Sequence, residues 1–151
     1  MKNNKISLVT NIISIVIVMV YVIFLIADWR NIPSEIPTHF NAAGVADDFG
    51  NKGFLVIEPI IAAGLLGLFA FIERHPGSWN MPVRITEENM DRLYTIMYVM
   101  LGIIKVIGII ICVYTGLASV TGSMPLWPVI ALTAGIFVTV IAGCIISFRF
   151  R

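Results

Sequence analysis

Four long apolar runs, at residues 6–27, 54–72, 93–114 and 126–148, alternate with short polar stretches along this 151-residue chain. At about 1.5 Å of rise per residue, helices of this length match a hydrocarbon core roughly 30 Å thick. The pattern predicts an all-α integral membrane protein, one membrane domain with four transmembrane helices. A very hydrophobic soluble bundle is the competing reading. For the first run a cleaved signal peptide is a second alternative. That run is longer than a signal h-region of roughly 7–15 residues, and no small-x-small cleavage site follows it. An uncleaved helix is therefore expected.

Local signals refine the elements. Glu58-Pro59 falls in the first turns of the second run. There the missing Pro N–H has no helical partner to lose, and a carboxylate suits the positive helix end. Residues 73–92 mix both charge signs, and Thr86 followed by Glu87 and Glu88 reads as an N-cap. The third helix should thus begin near Glu87. Residues 116–125 are uncharged and rich in Gly, Ser and Thr, which predicts a short turn and antiparallel third and fourth helices. Ala131, Gly135, Thr139, Gly143 and Ser147 recur at steps of four. Such a track lets another backbone approach closely. It serves either packing within the chain or a homo-oligomer through Ala131, Gly135, Thr139 and Gly143. No internal repeat supports an inverted-repeat transporter.

Residues 28–53 are the one long polar segment with its own grammar. Trp29, Ile32, Ile36, Phe40 and Phe49 argue against disorder. Pro33 and Pro37 push the residues before them towards extended conformations. Asn41 to Gly44 and Asp48 to Asn51 read as turns, with Gly44 and Gly50 at positive φ.

The string Ile32-Pro33, Ile36-Pro37-Thr38-His39-Phe40-Asn41, Gly44, Asp47, Phe49-Gly50 and Lys52 resembles the bacterial membrane family called domain of unknown function 1648. The same pattern stands at the front of immunity proteins against a sporulation-delaying peptide toxin. More loosely, His75-Pro76, Trp79-Asn80-Met81-Pro82 and Thr86 to Asn89 look like the middle of the family's short members. Phe49 departs from the pattern, where Trp is commoner. The resemblance implies a bacterial membrane protein and a binding role for the polar loop.

Composition agrees with the helices. The chain is 58% hydrophobic and 13% charged, with mean hydropathy +0.94, against about 25% charged residues in a soluble domain. A net charge of +1, with scattered Lys and Arg, excludes nucleic acid as a partner. Cys112 and Cys144 fall at opposite depths of two helices, so free thiols are expected rather than a disulfide. Lys2, Lys5, Arg74, Arg84, Arg92, Arg149 and Arg151 lie at one set of helix ends, and only Arg30 and Lys52 at the other. The positive-inside rule then places both termini in the cytoplasm and residues 28–53 outside. Residues 73–92 become a cytoplasmic loop of a multi-pass protein of the bacterial cytoplasmic membrane. Trp29, Tyr114 and Trp127 would lie at the outer interface, and Tyr94 near the inner one.

Candidate chemistry lies in two places. In the outer loop, Glu35, His39, Asn41, Asp47, Asp48 and Lys52 admit three readings. They hold the loop's own fold, with Asp47 or Asp48 paired to Lys52 or Arg30. They form a recognition surface, which the resemblance extends over Pro37, His39, Phe40, Asn41, Gly44, Asp47, Phe49, Gly50 and Lys52. Or His39 and nearby carboxylates bind a divalent ion. No catalytic or zinc-site motif is present, so neither catalysis nor a cofactor is expected. Inside the membrane, Lys105 is the one deep charge, and intramembrane charges are costly. It either snorkels outward, pairs with Glu58, or contributes to a proton or ion path. Together these readings predict a non-catalytic protein that binds or senses at the outer face. Its partners would be the lipid bilayer and a peptide toxin or another membrane protein. The rival is a small transporter or membrane enzyme subunit that uses Glu58 and Lys105.

Overall fold

In the computed structural model, which describes residues 4–150, four helices form an up-down bundle: α1 (Asn4–Asp28), α2 (Ile57–Arg74), α3 (Met90–Thr121) and α4 (Leu126–Phe148). All four are long and apolar enough to cross a membrane. α3 is the hub, packing against each of the other three, while α1 and α2 touch each other only sparsely. The bundle has two ends. The α1–α2 and α3–α4 connections share one, here called the hairpin end; the α2–α3 connection lies at the other, here called the terminal end.

Polarity is arranged the reverse of a water-soluble bundle. Ile12, Val20, Ile26, Phe71, Phe137 and Ile141 all point away from the bundle, and many other large apolar side chains do the same. Ser7, Ser14, Glu73, Lys105 and Ser147 are buried inside it. Van der Waals contact replaces the hydrophobic drive where the surroundings are apolar, so small residues mark the helix contacts. Gly102 lies against Thr10, Gly116 against Tyr21 and Gly143 against Met100; a Cβ at any of the three would overlap its neighbour. The small-residue track of α4 thus packs on α3, at Gly143 and also where Gly135 faces Ile107.

Several elements differ from the sequence reading. The α1–α2 connection adds two strands to a bundle expected to be all helical: β1 (Glu35–Phe40) and β2 (Ala46–Asn51) pair antiparallel, with Ile36 opposite Gly50 and Pro37 opposite Phe49. The turn between them is the expected one. Gly44 N–H donates to Asn41 O, Asn41 Oδ1 accepts from Ala43 and Val45 N–H, and Gly44 has φ +74°. The turn expected at Asp48 to Asn51 is instead strand, and Gly50 does not have positive φ. Gly is needed there for space, since a Cβ would lie 2.8 Å from Thr38 Cγ2.

The third helix begins at Met90 rather than near Glu87, and Thr86 does not cap it. Asn89 organises that entry instead. Its Oδ1 accepts from Thr86 N–H and its amide donates to Arg84 O and Phe150 O, tying the α2–α3 connection to the end of α4. α3 also runs on to Thr121, through residues expected to form a turn, and stops at Gly122, φ +73°. Trp79 packs edge-on against Tyr94 and Tyr98 and donates to Ile72 O, which fastens the α2–α3 connection to both helices.

Candidate functional site

The hairpin lies across its end of the bundle. Ile32 and Ile36 join Tyr21, Leu25 and Leu55 in a buried cluster that Trp29, Phe24, Val113 and Val120 surround. At the tip, a Cβ on Gly44 would overlap Met124 O in the α3–α4 turn. Most polar residues of the hairpin are used within it, whereas Glu35 is exposed at the start of β1. His39 Nδ1 and Asp47 Oδ1 are 2.5 Å apart, Thr38 donates to Asp48, and Asn41 closes the turn. Lys52 donates to Trp29 O and Ile32 O and lies 5.0 Å from the centre of the Trp29 ring. The expected pairs of Asp47 or Asp48 with Lys52 or Arg30 are therefore not formed. The backbone carbonyls left free where α1 ends lie closer to the lysine and claim it. No group of three or more His, Cys, Asp or Glu side chains converges among the described residues. Pro37 is buried, Phe40 and Gly50 are half-buried, and Phe49 is 55% exposed.

Beneath the hairpin is an apolar cleft of about 470 Å³, lined by Val22, Leu25, Ile26, Trp29, Val56 and Pro59. It exists because α1 and α2 both lean on α3 and little on each other. Its walls are the end of α1 and the start of α2, closed above by the residues leading into the hairpin.

The charged site lies elsewhere. Lys105 Nζ is 2.7 Å from Glu73 Oε1 and 2.5 Å from Asn11 Oδ1. Ser7 donates to the other Glu73 oxygen, and Asn11 donates to Ser7. Lys105 is 0% exposed. This overturns both the outward-snorkelling lysine and its pairing with Glu58. In an α-helix the Cα–Cβ bonds tilt towards the N-terminus. Lys105 therefore leans towards the start of α3, where Glu73 ends α2. Glu58 and Glu73 are fifteen residues apart on α2, about 22 Å along its axis. Cys112 and Cys144 are free thiols.

Ser7, Asn11, Ser14 and Tyr21 were not singled out from sequence, and Glu73 was assigned to a loop. The signal was present: Ser7, Asn11 and Ser14 are the i, i+4, i+7 positions of one helix face inside a run otherwise apolar but for Thr10.

Residues 15–63 match the family model described as Domain of unknown function (DUF1648). The match covers most of α1, the whole hairpin and the start of α2, so it takes in the cleft and leaves out α3, α4 and Glu73. No curated protein and no solved structure matches the chain. The chain thus combines a segment similar to this domain with four helices long and apolar enough to cross a membrane, the pattern of a multi-pass membrane protein.

Proposed function

We propose that this is a non-catalytic protein of the bacterial cytoplasmic membrane that binds an apolar peptide at its outer face, in the manner of a toxin-immunity protein. In this reading both termini are cytoplasmic and the hairpin is extracytoplasmic, which the distribution of Lys and Arg supports. The observation that carries the reading is the cleft of Val22, Leu25, Ile26, Trp29, Val56 and Pro59 directly under the hairpin. It is apolar, open along its side, and lies within the matched domain. A membrane-inserted peptide reaches it laterally, and burial of an apolar segment against Trp29 supplies the contact area. The polar groups of the hairpin are mostly bonded within it, so in this reading the apolar cleft beside it supplies the binding surface.

The transporter or enzyme-subunit reading needs Glu58 and Lys105 to act together. Lys105 is bonded to Glu73 and Asn11 instead, so nothing favours that reading.

The test is a deletion strain challenged with membrane-active apolar peptides, complemented by the wild type and by Ile26→Trp. Ile26 is 73% exposed, so the larger side chain fills the cleft without disturbing the bundle. Protection by the wild type but not by Ile26→Trp, at equal protein levels, is the expected result. Full protection by Ile26→Trp would remove the cleft from the function.

A further inference from the structure

At the terminal end of the bundle, the α2–α3 connection, the start of α3 and the end of α4 enclose an open cavity of about 430 Å³, lined by Thr86, Glu88, Asn89, Arg92 and Phe150. Asn89 builds it. Its side chain is buried and accepts from Thr86 N–H while donating to Arg84 O and Phe150 O, which ties the two walls together. Thr86, Glu88 and Arg92 are exposed. Arg92 lies over the Phe150 ring, with Cζ 5.1 Å from its centre. A contact with a ring face uses none of the guanidinium N–H donors. Among the described residues no hydrogen bond or ion pair engages the Arg92 guanidinium or the Glu88 carboxylate, although the two stand four residues apart.

Arg92 immediately precedes the apolar run 93–114, and Phe150 follows the run 126–148 by two residues. In a membrane the cavity therefore lies where hydrocarbon gives way to water, the level of lipid phosphates. Its charges are balanced: Glu87, Glu88 and Asp91 accompany Arg84, Arg92 and Arg149. A simple anion would meet Glu88 on the wall, and a simple cation would meet Arg92. A group carrying both a phosphate and an ammonium satisfies the two together. Guanidinium offers paired donors to phosphate oxygens, and a carboxylate accepts from ammonium N–H.

We propose that this cavity binds the headgroup of a phospholipid bearing a phosphate and a primary ammonium, of the phosphatidylethanolamine type, with the phosphate on Arg92 and the ammonium on Glu88. The site stands at the opposite end of the bundle from the apolar cleft. It holds for either orientation in the membrane and does not depend on the peptide-binding reading.

The test is native mass spectrometry of the full chain in detergent, titrated with dioleoyl phosphatidylethanolamine, phosphatidylcholine or phosphatidylglycerol. Phosphatidylethanolamine is expected to bind roughly five-fold more tightly than phosphatidylcholine, whose ammonium has no N–H; that factor is the upper end for an exposed ion pair. Glu88→Gln should abolish this preference and leave phosphatidylcholine binding unchanged, which also shows that the variant is folded. Arg92→Gln should weaken both lipids, and Arg92→Lys should restore part of the loss. Equal binding of phosphatidylethanolamine and phosphatidylcholine by the wild type would overturn the proposal, as would a preference that persists in Glu88→Gln. Tighter binding of phosphatidylglycerol than of either would overturn it in favour of a plain anion site. Soluble phosphoethanolamine is expected not to bind at the lipid concentrations used; binding as tight as the lipid's would overturn the membrane as the source of the ligand.

Discussion

Lys105 and Glu73 form an ion pair 2.7 Å long whose side chains are 0% and 4% exposed. The pair joins the middle of α3 to the last turn of α2, and Asn11 and Ser7 bring α1 into the same network. A central lysine costs about 2.5–3.5 kcal/mol on insertion scales. The network offsets that cost by giving the ammonium two acceptors and the carboxylate two donors.

Removing one member of a buried pair leaves the other charge without a counter-ion, typically a loss of about 3–5 kcal/mol. Lys105→Met and Glu73→Gln should each lower the unfolding free energy of the detergent-solubilised protein by an amount of this order. The double variant should recover much of the loss. Combining Lys105→Met with Glu58→Gln should give no recovery, because Glu58 is about four helical turns away along α2. Additive losses in the Lys105–Glu73 cycle would show that the two residues do not act as a pair.

The glycines of α3 and α2 make a contrast within one fold. Gly116→Ala places a methyl group into Tyr21 Oη, whereas Gly64 and Gly67 of α2 have nothing within 4 Å of a new Cβ. Overpacking of this kind costs about 1–3 kcal/mol. Gly116→Ala should therefore be destabilising, and Gly64→Ala and Gly67→Ala neutral or slightly stabilising through helix propensity. Thermal unfolding of the three variants side by side reads the difference. Equal behaviour would mean that α1 and α3 are too far apart for Tyr21 to abut Gly116.

The four helices were legible because each is a long apolar run, broken by no more than one charge, between polar stretches. The end of α3 was not, because Gly116, Ser119, Thr121 and Gly122 look like turn residues by the habits of soluble proteins. In this bundle Gly116 admits Tyr21, Thr121 bonds back to Ala118 O, and only Gly122 terminates the helix. Part of the hairpin was legible: Pro37 pointed to an extended Ile36 and Asn41 to Gly44 to a turn, but no strand was expected, and Asp48 to Asn51 has turn composition in a strand position. The buried network was missed because Glu73 follows the last apolar residue of its run. By composition it belongs to a loop; by helix phase it lies on the same α3-facing side as Ala62.

Gly44 and Gly50 hold the hairpin for different reasons. Gly44 has φ +74° and abuts Met124 O, so a side chain there is both strained and obstructed. Gly50 has ordinary strand geometry and only a crowded neighbour in Thr38. Gly44→Val should lift the tip from the α3–α4 turn and open the 41–45 segment to limited proteolysis. Gly50→Val should have a smaller effect, and pairing it with Thr38→Ser, which removes the obstructing methyl, should relieve that effect. Equal protease resistance in Gly44→Val and wild type would detach the tip from the α3–α4 turn.

The proposed orientation in the membrane rests on the distribution of charge, and the structure turns it into a sharper test. The hairpin and the α3–α4 turn share one end of the bundle, and the 75–89 connection lies at the other. Labelling on these two sets of residues must therefore be opposite. Ser34 and Ala43 are exposed in the hairpin segment, Ser123 in the α3–α4 turn, and Ser78 and Glu87 in the other connection. In a background with Cys112 and Cys144 replaced by Ser, single cysteines at Ser34, Ala43 and Ser123 should react with an impermeant thiol reagent in intact cells. Cysteines at Ser78 and Glu87 should react only after the membrane is opened. Seven of the nine Lys and Arg residues near helix ends lie on the side expected to be protected, a strong bias for short connections. The inverse labelling pattern would place the hairpin in the cytoplasm and remove the outer-face binding role while leaving the fold intact. Mixed labelling, with Ala43 and Ser123 on opposite sides, would contradict the packing of Gly44 against Met124 and with it the bundle itself.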